Sequence, residues 1–218
     1  CKSLMKFRIP FSSRAPAYTK EEEAVVLEVM RSTDSLTQGK NLKLFEKKFC
    51  QYVEVPHGYG VCNATAALEM AAQLCCFEEG DEILIPSHTF TSSAYPFIKN
   101  GARIVWTDID LQTKVVTAST LADQITAKTK AIVVVHLYGY GADIPQILEL
   151  AKRRGLLVIE DAAQALGVKI ENKMAGTYGD FGVFSFHSHK NISTLGEGGL
   201  LTVKDETIAA LLPDLRHN

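Results

Sequence analysis

The sequence predicts an α/β protein in which helices cover both faces of a mostly parallel sheet. Two observations carry this prediction. Short runs rich in β-branched residues alternate with segments of helical spacing along the chain, which is the order of βαβ units. The runs are continuously apolar, a pattern typical of strands buried on both faces of a parallel sheet. We therefore expect a three-layer αβα sandwich.

Four segments have the composition or spacing of helices. KEEEAVVLEVMRS begins with an acidic turn, and NLKLFEKKFCQYV places its apolar residues on one face. ATAALEMAAQLC consists of strong helix formers. ADIPQILELAKRRG has Pro145 near its first turn and Gly155 at its end, the usual positions of these residues in a helix.

The predicted strands lie between these helices. They are GYGVC, DEILIPS, ARIVWTDI, KAIVVVHLY, LLVIED and the start of DFGVFSFHSHK. In the last of these, alternation places Phe181, Val183, Ser185 and His187 on one face and Gly182, Phe184 and Phe186 on the other.

Composition excludes several classes of protein. The 218 residues are 46% hydrophobic and 22% charged with a net charge of −2, an ordinary globular composition. No basic run is available to neutralise phosphates, so nucleic acid is not expected as a partner. No apolar run spans a bilayer, and the N-terminus CKSLMKFRIPFSS lacks the apolar core of a signal peptide, so we expect a cytoplasmic protein without a membrane partner.

The cysteines and the chain ends add two further expectations. The five cysteines are Cys1, Cys50, Cys62, Cys75 and Cys76. Their odd number and the absence of a C-x-x-C pair favour reduced thiols, mostly buried, over disulfides or a zinc site. The first residue is not Met and the last stretch, LLPDLRHN, has no turn signal. We expect part of a longer chain.

Ligands of parallel sheets bind beyond the carboxyl ends of the strands, so the residues that follow each strand matter most. After GYGVC, Asn63 and Thr65 begin a helix, whose free N–H groups and dipole form an anion site. The alternative for Asn63 is a helix cap and nothing more. After DEILIP, Phe90 stands in the polar loop SHTFTSS, where it could stack on a planar ligand or instead fold back into the core.

Two more strand ends carry ionisable groups. Asp161 follows LLVIE, with Gln164 three residues later, and an acid at this place needs a partner. The alternative for Asp161 is again a helix cap. Lys190 is the last residue of FSFHSHK, lies five positions after Ser185, and precedes the glycine-rich GEGG.

Pyridoxal phosphate is a cofactor whose binding site uses all four of these features: an anion site, an aromatic face, an acid and a lysine. This cofactor needs a phosphate site, a stacking partner, an acid that keeps its pyridine nitrogen protonated, and a lysine that holds its aldehyde. The lysine reacts only as a free amine, which partial burial helps to supply. The small polar residues around Lys190 then make room for the cofactor, and the glycines allow the backbone to pass close to it.

Two other kinds of site compete with this interpretation. KAIVVVHLYGYGADIPQILELAKRRGLLVIED is nearly a dinucleotide fingerprint, with Gly139, Gly141 and an acid at Glu160 or Asp161, but Ile144 replaces the third glycine and Pro145 follows. A metal site would use His187 and His189, with His136 as a third ligand. No carboxylate is spaced to join them.

The motifs EDAAQALG, FSFHSHKN and GEGG, in this order, resemble the DegT-like nucleotide-sugar aminotransferases, which are fold-type I pyridoxal-phosphate enzymes. SLTQGKNLKLFEKKF, CNATAALEMA, GDEILIPSHTFTSSA, TDID and VVVHLYG are similar to the same family pattern, so the resemblance extends from about Ile9 to Val203. It implies that Lys190 holds the cofactor and moves protons. It further implies contacts to the pyridine nitrogen by Asp161, to the ring face by Phe90, to the hydroxyl side by Gln164, and to the phosphate by Ala64, Thr65 and Ser185. Ala64 stands where the family often has glycine, a tolerable change because the role needs a backbone N–H.

The resemblance also implies the reaction and its partners. The expected activity is transfer of an amino group, with glutamate as donor, to a nucleotide-linked keto sugar in a homodimer with shared sites. Residues 1–218 would form the large cofactor-binding domain with an N-terminal helical segment, and the smaller C-terminal domain of the family would be absent. Some relatives are dehydratases that carry histidine in place of the lysine, whereas this chain has Lys190. Dehydration and a truncated, non-catalytic cofactor-binding member remain the alternatives.

Overall fold

The structure is a computed structural model that describes residues 18–217. Its helices are α1 (Lys20–Arg31), α2 (Lys40–Val53), α3 (Ala64–Leu74), α4 (Tyr95–Lys99), α5 (Ala118–Ala122), α6 (Ile144–Arg154), α7 (Glu206–Ala209) and α8 (Leu212–His217). Its strands are β1 (His57–Val61), β2 (Glu82–Pro86), β3 (Arg103–Thr107), β4 (Thr129–Val135), β5 (Leu157–Asp161), β6 (Lys169–Ile170), β7 (Lys173–Met174), β8 (Phe181–Ser185) and β9 (Gly199–Val203). Thr91–Ser93 and Leu137–Gly139 form short 3₁₀ turns.

Seven of the strands form one sheet in the order β1-β9-β8-β5-β4-β2-β3, and β6 and β7 form a separate hairpin. The pairs β2–β3, β2–β4, β4–β5 and β5–β8 are parallel. Strand β9 runs antiparallel to both of its neighbours, β1 and β8. The six remaining strands of the sheet therefore run in one direction, and their carboxyl ends lie at one edge of the sheet. The prediction of a mostly parallel sheet is confirmed.

Helices cover both faces of the sheet, as the predicted sandwich requires. On one face, residues of α3 such as Leu68 and Met70 pack against Ile83, Val133 and Val183 in one core cluster. On the other face, α6 packs against Ile132 and Val134 of β4. Alternate residues of each strand thus point to opposite layers, since successive side chains of a strand point to opposite faces.

Strand β8 shows the alternation that its sequence predicts. Phe181 and Val183 belong to the cluster under α3. Phe184 and Phe186 pack on the opposite face against Phe49 of α2, with the ring centroids of Phe49 and Phe184 4.9 Å apart. Packing on both faces fixes the direction in which β8 delivers the chain to Lys190.

The cysteine prediction is only partly correct. Cys50, Cys62, Cys75 and Cys76 are all free thiols, as expected, and Cys1 lies outside the described residues. Cys75 is buried, which raises the pKa of its thiol to about 12. Cys62 and Cys76 are exposed, so the expectation that the thiols are mostly buried is wrong for these two.

Within residues 18–217, no helix combines the length and the apolar composition needed to cross a bilayer.

Candidate active site

A cavity of about 770 Å³ opens at the carboxyl edge of the sheet. This size is typical of small-molecule sites. Its walls come from the ends of β4, β5 and β8, from the start of α3 and from the loop after β2. All seven residues that the sequence singles out line it: Ala64, Thr65, Phe90, Asp161, Gln164, Ser185 and Lys190.

The start of α3 forms one end of the cavity. Asn63 caps the helix, because its Oδ1 accepts a hydrogen bond from the Ala66 N–H over 2.9 Å. The cap therefore exists, and it leaves the first N–H groups of α3 without acceptors inside the helix. Thr65 donates from Oγ1 to Ser92 Oγ over 2.9 Å. Together with Ser185 at the end of β8, these groups can hold an anion.

Phe90 forms the aromatic wall. Its side chain is 68% exposed and lies on the cavity, so the alternative in which it folds into the core is wrong. A large apolar ring held open beside polar groups can stack on a planar ligand.

Asp161 ends β5 and is 6% exposed. Its Oδ1 accepts a hydrogen bond from the Ala163 N–H over 3.1 Å, and its Oδ2 accepts one from the Ser93 hydroxyl over 2.6 Å. The helix-cap alternative for Asp161 is wrong, since the next regular element after β5 is strand β6. Gln164 lies on the same loop, and its Oε1 accepts the Tyr138 N–H over 2.8 Å.

Lys190 lies in the loop that joins β8 to β9 and is half-buried. Its backbone N–H donates to the His187 carbonyl over 2.8 Å. The His187 ring also binds this loop, accepting the His189 N–H at Nδ1 over 3.2 Å and lying 3.2 Å from Glu197 Oε1 through Nε2. Burial lowers the pKa of the Lys190 amine below its ordinary value, and the Asp161 carboxylate opposes this shift. More of this amine is therefore uncharged than for an exposed lysine.

The glycines after Lys190 differ in the space that surrounds them. A Cβ on Gly199 would meet the Asn63 carbonyl carbon at 2.3 Å and the Ala64 nitrogen at 2.6 Å. A Cβ on Gly198 would meet Thr194 Oγ1 at 2.1 Å, whereas Gly196 faces open space. Gly199 therefore allows β9 to pass directly against the start of α3.

The structure argues against both alternative sites. Glu160, an acid of the near-dinucleotide fingerprint, is fully buried and accepts hydrogen bonds from His136 and from the N–H groups of Gly176, Tyr178 and Gly179. It cannot reach a ribose. His136 is bonded through both ring nitrogens, and within residues 18–217 no three His, Cys, Asp or Glu side chains are placed to hold a metal ion.

Sequence reasoning missed several residues of the site. Thr89, Ser92, Tyr138, His187 and Glu197 also line the cavity, and the buried Ser93 contacts Asp161 behind it. The signal for Thr89, Ser92 and Ser93 is the run of hydroxyl residues in SHTFTSS, which surrounds Phe90. No sequence spacing links Ser93 to Asp161, because the contact joins two different strand ends.

The residues present fit pyridoxal phosphate. The cavity combines a helix start with hydroxyl groups for a phosphate, an exposed ring for stacking, a buried carboxylate, and a half-buried lysine with a lowered pKa. These are the groups that hold this cofactor and tune its electronics.

Comparisons with known proteins agree with this fit. Residues 16–218 match the DegT/DnrJ/EryC1/StrS aminotransferase family. The chain is 42% identical over 205 residues to a GDP-perosamine synthase from Caulobacter vibrioides, covering 94% of this chain and 55% of that protein. An aminotransferase structure from Psychrobacter cryohalolentis superposes with a TM-score of 0.87 at 35% identity, covering 92% of this chain and 51% of the other.

A related fold carries a different activity. The structure of an E. coli GDP-4-keto-6-deoxy-D-mannose-3-dehydratase with bound hydrated PLP superposes with a TM-score of 0.88 at 26% identity, covering 94% of this chain and 54% of the other. The chain thus spans about half the length of the proteins it matches.

Proposed function

Because the chain belongs to the DegT/DnrJ/EryC1/StrS aminotransferase family, we propose that it transfers an amino group from glutamate to a nucleotide-linked keto sugar with pyridoxal phosphate as cofactor. The observation that carries the proposal is the convergence of Lys190, Asp161 and Phe90 on one cavity beside the start of α3. These three side chains come from three different strand ends, and the fold alone brings them together.

We assign the binding of the cofactor to residues on opposite sides of the cavity. The N–H groups of Ala64 and Thr65 and the hydroxyl of Ser185 would hold the phosphate, since a helix start attracts anions. Phe90 would cover one face of the ring. Gln164, already oriented by the Tyr138 N–H, would contact the ring hydroxyl side.

We assign the chemistry to two groups of this chain. When bound, pyridoxal phosphate accepts electrons released at the substrate carbon and carries the amino group from donor to acceptor. Lys190 Nζ would hold the cofactor between turnovers and then move a proton, for which its lowered pKa keeps a share of the amine unprotonated. Asp161 would keep the ring nitrogen protonated from its fixed position at the end of β5.

The amino donor and the sugar need further groups. Among the described residues that line the cavity, Lys190 is the one lysine or arginine. Arg103 starts β3 and pairs with Glu82, and Arg153 and Arg154 end α6, so these arginines lie at the opposite edge of the sheet. The carboxylate of the amino donor and the phosphate of the cofactor are both anionic, and this chain alone would supply too few positive charges to bind both. We therefore propose a homodimer in which the partner subunit completes each site.

Two other functions are weaker. A dehydratase reaction is supported by the fold likeness to the E. coli dehydratase, but Lys190 stands where the dehydratase pattern has histidine. A non-catalytic binding protein would not need the lowered pKa of Lys190 beside Asp161.

We also propose that residues 1–218, with α1 and α2 as the N-terminal helical segment, act as the cofactor-binding domain of a cytoplasmic enzyme, in keeping with the four free thiols.

The proposal is tested by assaying purified, cofactor-loaded protein against a panel of nucleotide-linked keto sugars with glutamate. We expect formation of 2-oxoglutarate in equal amount to an amino sugar. Release of a deoxy sugar with no net transfer of nitrogen would instead establish dehydration. A cofactor-loaded, folded protein that is inactive on the whole panel, and that does not convert glutamate alone, would contradict the assignment.

A further inference from the structure

We propose that Ser93 is a positioning residue that aims the Asp161 carboxylate at the cofactor ring nitrogen, with Thr89 fixing the direction of the Ser93 hydroxyl. This inference rests on the proposed function, because it concerns how Asp161 meets the cofactor. Ser93 lies outside the cavity wall and would act only through Asp161.

The evidence is a chain of two short hydrogen bonds behind the cavity. Ser93 Oγ donates to Asp161 Oδ2 over 2.6 Å, and Thr89 Oγ1 lies 2.7 Å from Ser93 Oγ. Ser93 is fully buried. Among the described residues it is the one side-chain donor to the Asp161 carboxylate, whose other hydrogen bond comes from a backbone N–H.

The direction of the protons follows from the number of donors. A serine hydroxyl has one proton to donate. Since Ser93 gives that proton to Asp161, the proton between Thr89 and Ser93 must come from Thr89. The order is Thr89 to Ser93 to Asp161, and a hydroxyl that also accepts a bond is a better donor. A hydrogen bond to a carboxylate is also stronger than one between neutral groups.

The carboxylate is held on both oxygens. Oδ1 accepts the Ala163 N–H, and Oδ2 accepts the Ser93 hydroxyl. Each oxygen retains capacity to accept one more bond. The two bonds fix the rotation of the carboxylate plane, so the directions of its remaining lone pairs are set before any ligand binds. Such fixed orientation is the usual contribution of groups that contact a binding residue from behind.

The same loop links Asp161 to the stacking wall. Ser93 donates its backbone N–H to the Phe90 carbonyl over 3.0 Å, and Thr89 directly precedes Phe90. The loop that presents Phe90 is therefore attached to the carboxylate through Ser93. This attachment holds Phe90, which would stack on the cofactor ring, and Asp161, which would contact the ring nitrogen, in a fixed relative position.

The test compares pyridoxal phosphate with its carbon analogue, in which C–H replaces the ring nitrogen. Both carry the aldehyde and the phosphate, so the ratio of their Kd values isolates the contact to the nitrogen. Equilibrium dialysis would measure this ratio for the wild type, Ser93→Ala, Asp161→Asn and the double variant. Ser93→Cys, of nearly the same shape with a weak donor, is the second variant in case Ser93→Ala does not fold. Thr202→Val is the matched control, because it removes a buried hydroxyl that bonds only to the Gly176 and Gly182 carbonyls.

We expect the wild type to bind pyridoxal phosphate more tightly than the carbon analogue. In Ser93→Ala the ratio of the two Kd values should fall about tenfold, the effect of one hydrogen bond to a charged group. Asp161→Asn should abolish the preference, and adding Ser93→Ala to it should change nothing more. Thr202→Val should keep the wild-type ratio. If Ser93→Ala and Ser93→Cys keep the wild-type ratio while Asp161→Asn loses it, Ser93 is only structural and the inference is wrong. If the wild type shows no preference, Asp161 does not meet the ring nitrogen, and that part of the proposed function is wrong with it.

Discussion

His136 donates a hydrogen bond from Nε2 to Glu160 Oε2 over 2.9 Å, and both side chains are fully buried. The Nδ1 atom of His136 accepts the Ala142 N–H over 3.1 Å, which places the ring proton on Nε2. The His136 backbone N–H donates to the Asp161 carbonyl over 3.1 Å. The pair thus joins the ends of β4 and β5 directly beneath the cavity and holds the strand end that carries Asp161.

Replacing Glu160 by glutamine should destabilise the fold strongly. Glu160 accepts four hydrogen bonds, three of them from backbone N–H groups, and a glutamine would place an amide donor against some of these donors. We expect a loss of about 3–5 kcal/mol in the free energy of unfolding near neutral pH. Urea denaturation measures it. Glu149→Gln on the exposed face of α6 is the control and should change stability little.

The stability difference between wild type and Glu160→Gln should depend on pH. Burial alone would raise the pKa of Glu160, but the hydrogen bonds from His136, Gly179 and Gly176 lower it below its ordinary value of 4.5. A lowered carboxylate pKa stabilises the fold above the ordinary value and loses this effect as pH falls through the folded value. The difference should therefore be full at neutral pH and shrink below pH 4.5. A difference that grows on acidification would contradict this assignment of charge.

Borohydride reduction of the cofactor-loaded protein should attach the cofactor to Lys190. The half-buried amine with a lowered pKa is the one lysine among the described residues of the cavity. Peptide mapping by mass spectrometry should find the label on the peptide that contains Lys190, and Lys190→Arg should remove it. Labelling of another lysine in the folded wild type would refute the role of Lys190.

The Asp161 carboxylate should be visible in the pH dependence of the Lys190 amine. Asp161 raises the Lys190 pKa against the lowering effect of burial. In Asp161→Asn this opposition is lost, so the pH at which half of the Lys190 amine is reactive should fall. Reductive methylation of cofactor-free protein over a pH series, read by mass spectrometry, gives this midpoint. The Lys204 pKa, also lowered by burial but without a contribution from Asp161, serves as the internal reference. An unchanged or higher Lys190 midpoint would show that the two groups do not interact.

Substitution by alanine should destabilise the protein at Gly199 but have little effect on stability at Gly196. A Cβ at Gly199 would meet backbone atoms of Asn63 and Ala64, while a Cβ at Gly196 would meet nothing within 4 Å. We expect Gly199→Ala to lose about 1–3 kcal/mol of stability, as overpacking does, and to weaken cofactor binding because α3 begins at the cavity. Thermal melting and cofactor titration measure both effects. Equal behaviour of the two variants would disprove the close approach of β9 to α3.

The protein should sediment as a dimer. Lys190 is the one lysine or arginine among the described cavity residues, so a phosphate and a donor carboxylate require charges from elsewhere. Analytical ultracentrifugation over a range of concentrations, with cofactor present, should give twice the chain mass. A species that remains monomeric and still aminates a keto sugar would show that one chain completes its own site.

The sequence predicts the four strand ends of the site because each rests on local signals. Short strand patterns mark β1, β2, β5 and β8, and the residue types at their ends are those that a pyridoxal-phosphate site needs. The sequence predicts a cofactor role for Asp161, but in the dinucleotide alternative it could not choose between Glu160 and Asp161, since the two acids are adjacent. Only the sheet shows that Glu160 faces His136 and the buried loop, while Asp161 faces the cavity.

The contacts that join distant segments were not predictable from local patterns. Strand β9 is absent from the predicted strands because its short apolar run follows a glycine-rich loop and lacks a turn signal of its own. Ser93 looks like any loop serine until β2 and β5 are placed two strands apart around β4. The hydroxyl chain to Asp161 is therefore a product of strand order.

The antiparallel placement of β9 has a consequence for the order of assembly during synthesis. Edge strand β1 pairs only with β9 in the described sheet, and its partner residues are made about 140 residues later, a separation that slows contact formation. In a nascent chain whose β9 is still inside the ribosome, β1 has no partner strand. The start of α3 then also lacks its contact with Gly199 of β9. The wall of the cavity at the start of α3 and the Lys190 loop are thus completed in the same late event, so a partly synthesised chain has an incomplete cavity.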